Sequence, residues 1–155
     1  MAVSIIDGTI ESANLKRARR NVRVYESIVF RLADGTSKTW AKAVVEAKVA
    51  ELLLPGTSGR FYLFTAIDHR GVHGARTSEG KSAYGFATVN ETAMLWVTAL
   101  CFAWVAISIY AVQDAPIIGS IILILGLPAW YLYRKTRLEA QAQYEADADY
   151  RAPPG

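Results

Sequence analysis

Five cations fall within eight positions near the N-terminus: Lys16, Arg17, Arg19, Arg20 and Arg23. No acid interrupts them, so the run is a candidate site for an anion. Three readings compete for it: a lipid-facing or merely solvated surface, a protein partner, and nucleic acid. Lipid headgroups attract each such residue by about 1 kcal/mol at a membrane surface. An acidic protein would satisfy the same charges, and the chain's own acidic C-terminal tail is one such candidate. Nucleic acid would add bases stacked on exposed aromatics. Tyr25, Phe30, Trp40, Phe61, Tyr62 and Phe64 are present, but they read as filling a small core. Nucleic acid therefore ranks below lipid and protein.

The remaining chemical signals are poorer. Ala75 to Ser82, ARTSEGKS, fits a relaxed phosphate-loop pattern, in which backbone amides and Lys81 would hold phosphates and Ser82 a magnesium ion. That chemistry needs a buried parallel strand before it and a helix after it. Ala-Tyr-Gly-Phe follows instead, so a flexible linker is the expectation. His69 and His73 are four apart, a zinc-compatible spacing on a helix, but Asp68-His69-Arg70-Gly71-Val72-His73 reads as a solvent-exposed hairpin turn. Glu46 and Glu51 read as solvated side chains. No nucleophile elbow or Ser/His/Asp order is visible. We therefore expect no catalytic residues, no metal and no cofactor.

The elements that would position these residues fall into two classes. Residues 1–80 predict a small β-domain. Val3 to Ala13 is strand-like. Asn21 to Leu32 alternates, with Val22, Val24, Ile28 and Phe30 on one parity and Tyr25 and Val29 on the other. Asp34-Gly35 is a hairpin signal, and Thr36 to Ala43 gives a third strand. Val45, Val49, Leu52 and Leu53 then share one helical face over residues 44–54, which Pro55-Gly56 ends. Arg60 to Ile67 and Gly71 to Thr77 complete five strands. Three strands, a helix and two strands follow the order of an OB-like barrel. On this reading the basic run is the loop between the first two strands.

Residues 81–92 read as a linker. Residues 93–112 (AMLWVTALCFAWVAISIYAV) are twenty residues without a charge, about 30 Å as a helix, which matches a bilayer's hydrocarbon core. Residues 113–116 form a tight turn, and 117–133 (IIGSIILILGLPAWYLY) a second, antiparallel span with a kink expected at Pro128. Residues 134–155 read as a helical tail that becomes acidic and ends in a disordered Pro-Pro-Gly. Basic residues flank the pair at Arg60, Arg70, Arg76 and Lys81 before it and Arg134, Lys135 and Arg137 after it, whereas the turn has only Asp114. The excess of positive charge places both termini on the cytoplasmic side, in a bacterial inner membrane. Met1 to Gly8 lack the basic start and apolar run of a signal peptide, so insertion is expected to rest on the internal spans. Cys101 lies in the first span and has no cysteine to pair with.

Neither span contains Asp, Glu, Lys, Arg or His, the groups that ion and proton pathways require. Small residues recur at helical spacing instead: Ala99, Ala103 and Ala106 on the first span, Gly119 and Gly126 on the second. Such stripes let helices approach closely in lipid. Here they are expected to face each other or a partner subunit. The composite is an α+β membrane protein with an OB-like β-barrel, a two-helix transmembrane hairpin and a C-terminal helical tail. Its expected role is a non-enzymatic accessory or adaptor subunit. Membrane lipids and a larger membrane protein, or a second copy of the chain, are its expected partners. The alternative is a membrane-tethered sensor or binding module taking nucleic acid or a small ligand.

Overall fold

A computed structural model describes residues 2–66, 69–86 and 89–150. It divides into two compact units, Met1–Ala87 with Thr136–Gly155, and Thr88–Lys135. The end at 152–155, expected to be disordered, lies outside the described residues.

The first unit is a closed five-stranded barrel with a sixth strand added. The strands are β1 (Ala2–Ala18), β2 (Val22–Leu32), β3 (Ser37–Glu46), β4 (Ser58–Thr65), β5 (Arg70–Thr77) and β6 (Ser82–Tyr84). They lie in the order β3-β2-β1-β4-β5-β6, and β3 also pairs with β5 in parallel. That parallel pairing, Ala43 with Arg70, Val44 with Gly71 and Val45 with Val72, closes the barrel. Gly71 permits the closure, since a Cβ there would run into the Val44 carbonyl oxygen. Five strands with a helical turn between β3 and β4 agree with the OB-like arrangement. Inside lie Ile6, Ile10, Tyr25, Ile28, Phe30, Val45, Phe61, Leu63 and Val72, all buried.

Bulges decide which residues point inward. The β1–β2 register slips between Ile10 and Ser12, and again on either side of Leu15. An extra residue in one strand reverses the parity beyond it. Glu26 is skipped opposite Asn14 and Leu15, so Tyr25 enters the core with Ile28 and Phe30, while Val22 and Val24 stay half-buried. Strict alternation would instead put Val22 and Val24 on the face of Ile28 and Phe30, with Tyr25 on the other.

Three element boundaries differ from the sequence reading. The helix expected over 44–54 shrinks to one turn, α1 (Ala47–Ala50), because the β-branched Val44 and Val45 extend β3 into the pairing that closes the barrel. Val49 and Leu53 remain buried against the barrel's core. β1 runs five residues further than expected, to Ala18. Part of the expected linker forms β6, paired with β5.

The second unit contains α2 (Val89–Val112) and the first part of α3 (Ile117–Ala146). Both helices are long and apolar enough to cross a membrane, and only 6% and 17% of their most apolar windows are buried. Gln113, with φ +57°, turns the chain between them and donates to the Ile109 carbonyl at 3.1 Å. α3 continues through Pro128 to Ala146 as one helix, so the expected span and helical tail are a single element. Polar side chains in the apolar segments bond back to their own helix: Thr98 to the Met94 carbonyl at 2.8 Å and Ser120 to the Pro116 carbonyl at 3.1 Å.

Candidate functional site

β4 carries the run RFYLFT, in which successive residues point to opposite faces. Phe61 and Leu63 enter the core, while Tyr62 and Phe64 point outward. Both outward rings are nonetheless buried, as is His73. The register between β4 and β5 slips after Tyr62, pairing Tyr62 with Gly74 and Leu63 with Val72, so His73 is the extra residue of a bulge. Val72 and Ala75 keep their places in the core. A second aromatic cluster thus forms outside the barrel. Phe64 stacks on Phe86 with centroids 4.5 Å apart, and Tyr62 meets Tyr144 edge-on at 5.1 Å. The ring of Tyr144 also lies 5.1 Å from Tyr84. Gly74 makes room for it: a Cβ there would stand 2.6 Å from the Tyr144 ring.

Two arginines and one tyrosine fasten the end of α3 and the residues after it to this face. Arg76 donates to the Tyr144 carbonyl at 3.1 Å and its guanidinium lies 4.2 Å from the same ring's centroid. Arg60 holds Asp7 in a two-bond fork at 2.7 and 2.8 Å. Its third nitrogen reaches Asp147 at 3.1 Å, and Tyr150 stacks beneath it at 3.7 Å. The Tyr62 hydroxyl donates to the same Asp147 oxygen at 3.1 Å. Asp7 raises the Arg60 pKa further above its ordinary value. Burial, reinforced by Asp147, pushes the Tyr62 hydroxyl up to about 12. These groups form a clamp that recognises a carboxylate three residues beyond a tyrosine.

His73 sits at the bottom of the cluster, 6.0 Å from the Tyr62 and Phe64 rings and 6.1 Å from Tyr84. Neither ring nitrogen makes a well-formed hydrogen bond among the described residues, the Ala140 carbonyl being only a weak neighbour. Burial drives its pKa down to about 4, and the nearby Ala140 carbonyl opposes that shift only in part. The neutral imidazole therefore behaves as an aromatic packing residue. This corrects the expectation of an exposed turn over residues 68–73: Arg70 to His73 belong to β5 and His73 is fully buried, while Asp68 lies outside the described residues.

The basic run does not hold the acidic tail, which goes to Arg60 and Arg76 instead. Lys16 and Arg17 belong to β1, Arg23 to β2, and Arg19 and Arg20 to the turn, where the Arg19 amide donates to the Val22 carbonyl at 2.8 Å. The run is therefore the tip of a β-ribbon and not a loose loop. Arg23 bonds the Arg19 carbonyl at 2.6 Å.

The ARTSEGKS segment is a β-hairpin. Its amides are used internally, Thr77 to the Lys81 carbonyl at 2.9 Å and Gly80 to the Thr77 carbonyl at 3.0 Å, and β6 follows where a phosphate loop has a helix. An open depression of about 600 Å³ lies between this turn and residues 148–150. Its cations are engaged, Arg76 by Tyr144 and Lys81 by Glu79 at 2.8 Å, and Asp149 on its wall opposes an anion. Glu46 pairs with Lys48 at 3.2 Å, and Glu51 is exposed.

The small-residue stripes part company. Gly119 and Gly126 are buried against α2, where an added Cβ would stand 2.8 Å from Val105 and 2.5 Å from the Thr98 hydroxyl. Ala99, Ala103 and Ala106 are exposed. The glycines thus meet Thr98 and Val105 and not the alanines, whose stripe lies on another side of α2.

Sequence reasoning missed the clamp of Arg60, Tyr62, Arg76 and Asp147. The available signal was RFYLFT itself, apolar on both faces, which requires cover on both. No protein-family model, curated protein or solved structure matches this chain.

Proposed function

We propose that the protein is a non-enzymatic accessory or adaptor subunit of a membrane assembly. Its α2–α3 hairpin crosses a bacterial inner membrane and leaves both termini in the cytoplasm, and the barrel docks there on a larger partner or a second copy. The observation that carries this reading is the state of α2. Its hydroxyl and β-branched face is taken by the glycines of α3, while Ala99, Ala103 and Ala106 remain uncovered. A smooth small-residue stripe in an apolar, charge-free helix suits close approach by a further helix. Positive charge at Arg134, Lys135 and Arg137 supports the orientation.

The test is purification in mild detergent followed by mass spectrometry, on the wild type and on Ala103→Leu. The expected result is a stoichiometric membrane partner, or a homo-oligomer, that is depleted by the substitution. Recovery of a lone monomer would sink the proposal. A second reading, a tethered module that binds nucleic acid or a small ligand, is favoured only by the basic ribbon tip. Neutralising Arg17, Arg19 and Arg20 separates the two, because a ligand-binding module loses its ligand while an adaptor held through its helices still assembles.

A further inference from the structure

We infer that the tip of the β1–β2 ribbon is a contact for anionic lipid headgroups, an inference that rests on the membrane-anchored reading above. The charge of the chain is segregated there. Of 17 basic residues against 14 acidic ones, five lie at this tip, and without them the chain has twelve basic residues against fourteen acidic. The whole positive excess therefore belongs to residues 16–23. Lys16, Arg17, Arg19 and Arg20 are exposed, and no carboxylate among the described residues forms an ion pair with any of the five. Arg31, Arg60 and Lys81 elsewhere on the same unit are all paired with acids. Among the described residues Lys38 and Lys42 also lack an acidic partner, but they stand singly on β3, whereas five cations without a carboxylate gathered at one ribbon tip point to an external anion.

The identity of that anion follows from what surrounds the charges. Nucleic acid binding on a barrel of this kind uses exposed aromatics as stacking platforms. Tyr25, Phe30, Phe61, Tyr62 and Phe64 are buried, and Trp40 is half-buried against the core with Arg70 over its ring. The exposed apolar side chain at the tip is instead Leu15, 52% accessible and directly before the run. An aliphatic residue beside a cluster of cations matches the boundary between headgroups and acyl chains. The register slip around Lys16 leaves that residue in a bulge, which twists the ribbon and spreads the cations off a single strand face. Spread charges suit a diffuse anionic surface better than one discrete phosphate.

The experiment uses the full chain in lipid nanodiscs, with Ala18→Cys in a Cys101→Ser background carrying an environment-sensitive fluorophore. Discs of neutral phosphatidylcholine are compared with discs containing phosphatidylglycerol. The expected result is a blue-shifted emission only in anionic discs, reversed by high salt. Removing each cation should lower the bound fraction's equilibrium constant by roughly fivefold, so that neutralising Lys16, Arg17, Arg19 and Arg20 together abolishes the shift. Identical emission in neutral and anionic discs overturns the inference. So does tight, tip-dependent binding of a single-stranded oligonucleotide or an acidic peptide to the protein in neutral discs. Failure of the anchoring reading shows separately, as protein that never enters the disc fraction. Co-sedimentation with anionic against neutral vesicles then decides the lipid contact alone.

Discussion

Lowering the pH from 7 toward 4 should destabilise the barrel unit through His73, by an amount that its surroundings set. The unfolded histidine titrates near 6.5, while burial among Tyr62, Phe64, Tyr84 and Phe86 lowers the folded value to about 4. Above pH 6.5 both states are neutral and the group contributes no pH dependence. Between the two values the unfolded chain binds a proton that the folded one refuses, so stability falls by about 1.4 kcal/mol per pH unit. The loss totals roughly 3 kcal/mol and stops once the pH is below the folded value. His73→Leu removes the titration. It also removes a buried ring with at least one nitrogen lacking a partner, which costs about 1–3 kcal/mol where nothing satisfies it, so the variant should be at least as stable at pH 7. The assay is urea unfolding of the detergent-solubilised chain, followed by near-ultraviolet tyrosine circular dichroism at pH 7, 6, 5 and 4.5. All other side chains are common to both proteins, so their effects cancel in the comparison. The stability gap should widen by roughly 2–3 kcal/mol toward pH 4.5. A gap that stays constant across that range, or a magnetic-resonance titration of His73 near 6.5, would refute the burial argument.

Other substitutions probe closure, clamp and hairpin separately. Gly71→Ala drives a Cβ into the Val44 carbonyl and should cost about 3 kcal/mol, read as lost β-sheet ellipticity and early melting of the barrel. Asp147→Asn weakens the bonds from Arg60 and Tyr62 and should cost about 1 kcal/mol, seen as faster amide exchange over residues 140–150 with β1 and β2 unaffected. Gly126→Leu meets the Thr98 hydroxyl and should destabilise α2–α3 packing by about 1–3 kcal/mol in detergent melting. Ala103→Leu, on the exposed side, should leave that melting unchanged. Equal effects from the two would show that the helices pack through the alanine stripe after all.

The local patterns were strong enough to be read directly where neighbours do not compete. A charge-free run of twenty residues permits only an apolar surrounding, and α2 ends at Val112 as its composition requires. Asp34-Gly35 turns β2 into β3, with Gly35 at φ +81° and the Thr36 amide on the Asp34 carboxylate at 2.8 Å. The barrel's strand order was legible for the same reason, because each strand carries its own turn signals. The helix over 44–54 was not, since Val44 and Val45 satisfy a helical face and a strand equally until β5 offers them a parallel partner. The basic run was visible as charge, but its form as a paired ribbon was not.

Sequence alone showed the character of the segments: two long apolar helices and a cluster of cations near the N-terminus. Tertiary structure decided how residues far apart in the chain satisfy one another. Whether Tyr62 and Phe64 face water depends on Tyr144 and Phe86 covering them. Whether the acidic tail meets Arg17 or Arg60 depends on Gly74 leaving space for the Tyr144 ring that leads it there. Bulges made the remaining choices, because one inserted residue reverses which side of a strand is buried, and no periodicity in β2 or β5 announces where that residue lies.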